Sequence, residues 1–177
     1  NERGGGDFFL GGICIPSRRK EYSRMMQKAR NGVEFFTTQI LYDGSEVCNL
    51  LDRYGKECVE KGVDAKRVLL SFAPISNQKN MEFLKWLGVN IPLETEAYLL
   101  ENLEETKDRS IEVSIGIMEE VLEFVNDNKI SVPLGLNIEH IMSYNFKTSV
   151  ELLQKMSKIY RKYCMNSSLM PIDRANE

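Results

Sequence analysis

Four times along this chain a short run of β-branched, aromatic or glycine-punctuated apolar residues gives way to apolar residues at helical spacing. That alternation restricts the fold more than any other feature, because strands separated by helix-length crossovers are obliged to run parallel. The first run is "DFFLGGICIP" (7–16), broken by glycines and stopped by Pro16. Tyr22, Met25, Met26 and Ala29 then mark a helix within 18–31, with Gly32 as its stop. Residues 34–41, "EFFTTQIL", read as a second strand. Val47, Leu50, Leu51, Tyr54 and Cys58 form the next helical stripe, opened by Ser45 and closed by Gly62.

"RVLLSFAP" (67–74) is the third strand. Ser76 is the expected N-cap of a helix carrying Met81, Phe83, Leu84 and Leu87, with Gly88 beyond it. The segment 93–105, "LETEAYLLENLEE", predicts an acidic amphipathic helix with a solvated face. A longer helix follows through Ile111, Ile115, Met118, Leu122 and Val125. "VPLGLNIE" (132–139) is the fourth strand, with Pro133 tolerable near its start. Leu152, Leu153, Met156, Ile159, Tyr160 and Tyr163 define the last helix. Residues 1–7 read as an N-terminal loop and 167–177 as an irregular tail of a single domain spanning 1–177. The start at Asn1, without an initiator methionine, suggests a beginning inside a longer protein.

The fold class is therefore α/β, built of parallel (β/α) units with helices covering the sheet. A small doubly wound sheet and part of a (β/α)8 barrel both satisfy the pattern. A complete barrel takes about 250 residues and eight strands, whereas four strands are legible in these 177 residues.

Charge and composition narrow the partners. A net charge of −3 provides no general attraction to nucleic acid or to an anionic membrane, and no apolar run approaches the ~18 residues of a span. Cys14, Cys48, Cys58 and Cys164 are far apart and, with a single histidine, make no metal site by spacing; reduced thiols in a cytoplasmic protein are the expectation. The glycine clusters do not form a dinucleotide fingerprint, and no P-loop, nucleophile elbow or zinc motif is present.

In either fold, ligands gather beyond the carboxyl ends of the strands. The polar residues at those ends are Ser17, Arg18 and Arg19; Gln39 and Asp43; Ser76 and Asn77; and Asn137, Glu139 and His140. Gln39 offers a donor and an acceptor to a ligand, or points to solvent. Glu21 and Lys28, seven apart, share one face of the first helix: such a carboxylate suits ribose hydroxyls and such a lysine a phosphate, though either also suits a plain surface. His140, beside Ile138 and Ile141, is a proton donor or a structural histidine.

Four segments resemble the methylenetetrahydrofolate reductase family: "LGGICIPSR", "KARNGVEFFTTQILYD", "LLSFAPISNQKNMEFLKWLGVNIP" and "LGLNIEHIMSYN". They run in order through most of residues 8–163. The most specific element is K-x-x-x-G-x-x-F-x-x-T-Q-x-x-x-D, here Lys28, Gly32, Phe35, Thr38, Gln39 and Asp43. The form of "GGICIPSR" is similar to the branch common in actinobacteria.

The resemblance implies a flavin-bearing (β/α)8 TIM-type barrel of which this chain supplies the last four strands. It implies reduction of 5,10-methylenetetrahydrofolate to 5-methyltetrahydrofolate with NAD(P)H through FAD, and a folate substrate as partner. Family positions place Glu21 and Lys28 on the ribose and phosphate side of the flavin, and Gln39 on the pterin. Two further cofactor positions depart from the classical pattern: Ile15 stands where a tyrosine precedes the proline, and Arg19 near where a histidine lies. "SYNFK" lacks the classical arginine near the folate tail, with Lys147 close by. The family's proton donor and flavin-proximal aspartate lie on early strands that this chain does not contain. Such a half-barrel is expected to pair with its missing half or to form a homo-oligomer. A non-catalytic interaction or regulatory protein is the alternative.

Overall fold

A computed structural model describes residues 8–166; the expected loop 1–7 and tail 167–177 lie outside the described residues. The elements follow in strict alternation until the third strand: β1 (Leu10–Cys14), α1 (Glu21–Arg30), β2 (Val33–Thr38), α2 (Gly44–Glu60) and β3 (Arg67–Phe72). Two helices, α3 (Gln78–Trp86) and α4 (Leu93–Leu100), then precede α5 (Thr106–Asp127), β4 (Leu134–Ile138), a 3-10 turn (Ser143–Asn145) and α6 (Phe146–Asn166).

All strand pairs are parallel, and the sheet order is β1-β2-β3-β4. This order settles the choice that periodicity left open. A doubly wound sheet reverses its order at a switch point and carries helices on both faces. Here the order never reverses, and α1, α2, α5 and α6 pack each against the next. The arrangement is that of consecutive units of a (β/α)8 barrel, cut to four strands.

The register explains where the core sits. Gly12, Phe36, Val68 and Leu134 form one row across the sheet. Phe36, Val68, Leu70, Phe72 and Leu134 are fully buried against Met25, Leu51, Tyr54, Met118 and Met156 of the helices. Burying each such side chain contributes about 1.5–3 kcal/mol. The alternate residues, Ile13, Thr37, Leu69 and Gly135, form the neighbouring row on the opposite face. Among the described residues no helix covers that face, and Ile13 is 65% exposed. Two glycines make room there: a Cβ on Gly11 would lie 2.5 Å from Phe35 Cζ, and one on Gly135 would lie 2.5 Å from Leu69 Cδ2.

A second, smaller core caps the carboxyl ends of β2 and β3. Ile40, Tyr42, Ala73 and Ile75 pack there against Met81, Leu84, Val89 and Leu99 from the α3–α4 excursion. Tyr42 fixes the joint by donating to Ala73 O at 2.5 Å.

Local chemistry shifts several expected boundaries. The helix expected over 93–105 stops at Leu100, because the buried Thr106 hydroxyl donates to Leu99 O and Asn102 Oδ1 takes Glu104 N–H. The cap of α2 is Asp43 and not Ser45; its carboxylate accepts from Ser45 N at 2.8 Å and from the Ser45 hydroxyl at 2.6 Å. Likewise Asn77, not Ser76, caps α3, accepting from Asn80 N at 2.9 Å. The four strands are shorter than their apolar runs, since residues such as Ile40, Ala73 and Ile75 turn over the rim into the second core. Among the described residues no helix is long and apolar enough to cross a membrane, and no group of His, Cys, Asp and Glu could hold a metal ion.

Candidate functional site

The segment from Lys28 to Asp43 contains both scaffold and site. Gly32 adopts φ +98°, the left-handed geometry that lets α1 turn directly into β2. Phe35 lies on the uncovered face and stacks on Phe9, with ring centroids 5.2 Å apart. Thr38 is buried, and its hydroxyl accepts from Ser71 N at 2.9 Å, joining β2 to β3 where the strand ladder ends. Asp43 caps α2. Of the six motif residues, Lys28 and Gln39 are left to meet a ligand with polar side-chain groups, and Phe35 with an apolar ring.

Gln39 stands immediately beyond β2, where its N–H donates to Cys14 O at 2.9 Å. Its amide Nε2 reaches Leu87 O at 3.4 Å, and its Oε1 accepts from Ile40 N at 3.1 Å. The first bond is at the limit of useful geometry, so the amide is free to exchange it for a better partner. Ile15, Pro16 and Ser17 line a shallow cleft with Gln39. The sequence-predicted neighbours Ile15 and Gln39 are thus brought together.

Glu21 and Lys28 lie on the other side of Ile15. Cys14 directs its carbonyl to β2, so Ile13 directs its own to the free edge of β1, while Ile15 O accepts from Arg18 N at 3.0 Å in the turn that follows. Lys28 Nζ donates to Ile13 O at 2.5 Å, and Ile15 N donates to Glu21 Oε1 at 3.4 Å. The two side chains also face each other, with Nζ 3.6 Å from Oε1, while Arg18 lies 3.7 Å from Oε2. The Glu21 side chain is fully buried, and its Oε2 has no hydrogen-bond partner. The nearby Cys14 thiol is pushed up to about 12 by its own burial and, less, by the Glu21 charge, so it stays protonated. Glu21 and Lys28 do not line the Gln39 cleft, and Arg19 is exposed in the intervening loop. Ile15 is the bridge between the two groups.

A third polar group occupies the far end of the same rim. Ser71 and Asn137 are paired in the β3–β4 register on the uncovered face. Asn137 Nδ2 donates to Ser71 Oγ at 3.1 Å and to Glu139 Oε1 at 3.3 Å. Glu139 is held in place by its own N–H, which donates to Phe72 O at 2.8 Å. Desolvation raises its carboxyl above the usual range, offset in part by a Ser71 hydrogen bond. The alternation Leu-Gly-Leu-Asn-Ile-Glu carried this information in the sequence, since Gly135, Asn137 and Glu139 share one face. His140 is exposed and edge-on to Phe146, with centroids 5.3 Å apart.

Beneath the rim, a buried asparagine network fixes the loops. Asn145 Nδ2 donates to Pro74 O at 3.1 Å and to Asn80 Oδ1 at 2.8 Å, and the Ser76 hydroxyl donates to Asn145 Oδ1 at 2.6 Å. The loop after β4 is thereby tied to the loop after β3.

Comparison with known proteins agrees with this geometry. A family model for methylenetetrahydrofolate reductase matches residues 14–158. No curated protein matches the chain. A solved structure similar to it is an uncharacterized protein from Clostridium thermocellum that binds two copies of 5-methyl-5,6,7,8-tetrahydrofolic acid. The TM-score is 0.77 at 27% identity, over 86% of this chain and 55% of that one. The chain thus spans about half the length of that relative. With four parallel (β/α) units in sequential order and a match across most of its length, the chain belongs to the methylenetetrahydrofolate reductase family.

Proposed function

We propose that the chain forms about half of a folate-binding barrel whose complete protein reduces 5,10-methylenetetrahydrofolate to 5-methyltetrahydrofolate, using NAD(P)H and bound FAD, in the cytoplasm. The observation that carries this reading is Gln39, at the carboxyl end of β2 beside Ile15, in a segment that the family match includes. An amide whose Nε2 makes one long hydrogen bond, while its Oε1 accepts from Ile40 N, is suited to orient the amino-oxo edge of a pterin.

The residues present fit a flavin nucleotide in donor chemistry. Glu21 Oε2, which has the Arg18 ion pair but no hydrogen bond, is an acceptor for a ribose hydroxyl, while Lys28, Arg18 and Arg19 supply cations for a phosphate. Ile15 supplies an apolar contact between them and the Gln39 cleft. When bound, FAD supplies the hydride acceptor and donor between nicotinamide and folate. This chain's own residues contribute binding and orientation; Glu21 must first turn out of its buried position.

A non-catalytic interaction protein is a second reading, favoured by the way Lys28 and Glu21 occupy the β1 edge. The test is spectroscopic and uses the complete protein. The enzyme reading expects a yellow protein that NAD(P)H bleaches and methylenetetrahydrofolate restores. A colourless protein that retains no FAD on saturation would discard it.

A further inference from the structure

We infer that Glu139, oriented by Asn137 and Ser71, is the carboxylate that accepts the N3–H and 2-amino hydrogens of a bound folate's pterin ring. The inference rests on the folate reading above and adds a residue two strands along the same rim from Gln39. Three features of the chain lead to it. First, Asn137 spends both amide hydrogens within the cluster, on Ser71 and on Glu139. The atoms it leaves for a ligand are acceptors, its own Oδ1 and the Glu139 carboxylate. A ligand meeting them needs adjacent N–H donors.

Second, the carboxylate does not stand in open water. Desolvation burdens its charge, and Ser71 behind it is fully buried. Hydrogen bonds from a ligand would relieve that burden more than bonds to a solvated surface acid would. Third, the floor below the rim is apolar: Leu69 lies over Gly135 and Phe35 over Gly11 on the same uncovered face. A flat ring with an N–H edge matches an apolar floor bounded by a carboxylate, whereas a hydrated metal ion or a phosphate does not. Leu41 N donates to Ser71 O just past the β2–β3 ladder, so Gln39 and Ser71 sit on adjacent strand ends of one rim, with Asn137 one strand further. Two inter-strand steps of about 4.8 Å separate the amide from the acid cluster, leaving room for a bicyclic ring between them.

The test measures binding of 5-methyltetrahydrofolate and of its 2-desamino-2-methyl analogue to the complete protein by calorimetry. The wild type is expected to favour the amino-bearing ligand at least tenfold. Glu139→Gln keeps the shape and an acceptor but removes the charge; it should bring the two ligands within about twofold, with the loss falling on the amino-bearing one. Glu139→Asp, which retracts the carboxylate, should lie between the two, and melting curves verify that each variant folds. A wild type that binds both ligands equally, or a Glu139→Gln variant that keeps the tenfold preference, overturns the role of Glu139 while folate binding stands. Equal weakening of both ligands in the variant overturns it also, making Glu139 a structural residue. A wild type that binds neither ligand removes the folate reading and this inference with it.

Discussion

Lys28 Nζ donates to the carbonyl oxygen of Ile13 across the outward edge of β1, at 2.5 Å. Together with the bond from Ile15 N to Glu21, this places a charged helix pair on a strand edge that would otherwise present unpaired backbone groups. The pair that family resemblance assigns to a flavin therefore has a second partner in this chain, its own backbone.

Competition between those two partners gives the first prediction. Lys28→Met keeps the aliphatic stem but leaves the buried Glu21 carboxylate short of a cation, and should lower stability by about 1–3 kcal/mol. The double variant Glu21→Gln/Lys28→Met should recover part of that loss, because a neutral amide needs no counter-ion. Urea denaturation of the four proteins in the cycle measures both effects. Added FAD should raise the wild-type midpoint and leave that of Lys28→Met nearly unchanged.

Gln39→Ala separates the two half-reactions of the proposed enzyme. Losing one amide contact to the pterin should slow folate reduction or raise its KM about tenfold, equivalent to ~1.4 kcal/mol. Oxidation of NAD(P)H with an artificial acceptor should survive. Stopped-flow traces of each half-reaction decide the matter, and equal losses in both would refute a pterin role.

The alternation of strands and helices, the three glycine stops and the apolar stripes were legible because each is a local consequence of backbone geometry. Gly32, Gly62 and Gly88 all take positive φ, as a helix stop requires. Sheet order was not legible, since strand periodicity does not say which strands become neighbours. Hydroxyl assignments failed for a related reason: Ser45 and Ser76 carry suitable cap chemistry, but so do the neighbouring Asp43 and Asn77, which accept from Ser45 N and Asn80 N. Gln39 and Ile15 line one cleft, while Glu21 was invisible as a buried residue because a carboxylate on a helix surface reads as solvated. The Ser71–Asn137–Glu139 cluster depends on a register between segments 66 residues apart, which no window along the chain can contain.

Asn145 is the keystone of the rim loops. Asn145→Ala would leave Pro74 O and the Ser76 hydroxyl without their partner, and Asn80 Oδ1 with Ser76 N alone, in a site that water reaches poorly. Each unsatisfied group costs about 1–3 kcal/mol, so the variant should lose at least ~2 kcal/mol after relaxation. Hydrogen exchange should show faster opening of residues 73–80 with the α1–α2 region unaffected. Uniform loosening of the whole domain would contradict a local tie.

Gly11 serves the uncovered face by its lack of a side chain. An alanine there places Cβ against the far end of the Phe35 ring, which has to leave its stack on Phe9. Overpacking of this kind costs about 1–3 kcal/mol. Adding Phe35→Leu should return most of the stability, and thermal melting of the single and double variants measures the rescue. No rescue would mean that Gly11 is needed for its backbone.

The Glu139 carboxyl titrates higher in the folded chain than the ordinary value because burial disfavours its charge, so folding takes up a proton there. A group raised in this way favours the fold at pH below its unfolded value, near 4.3. That contribution is lost as pH rises through the folded value, leaving a charge that the native site tolerates poorly. Glu139→Gln carries no such charge and retains an acceptor for Asn137. Its melting temperature should therefore exceed that of the wild type at pH 7–8, with the difference shrinking toward zero at about pH 4. Scanning calorimetry across that range tests the sign: a variant less stable than the wild type at pH 8 would show that the carboxylate is compensated within the cluster. A gain in stability coupled to loss of folate discrimination is the pattern expected of a residue retained for binding at the fold's expense.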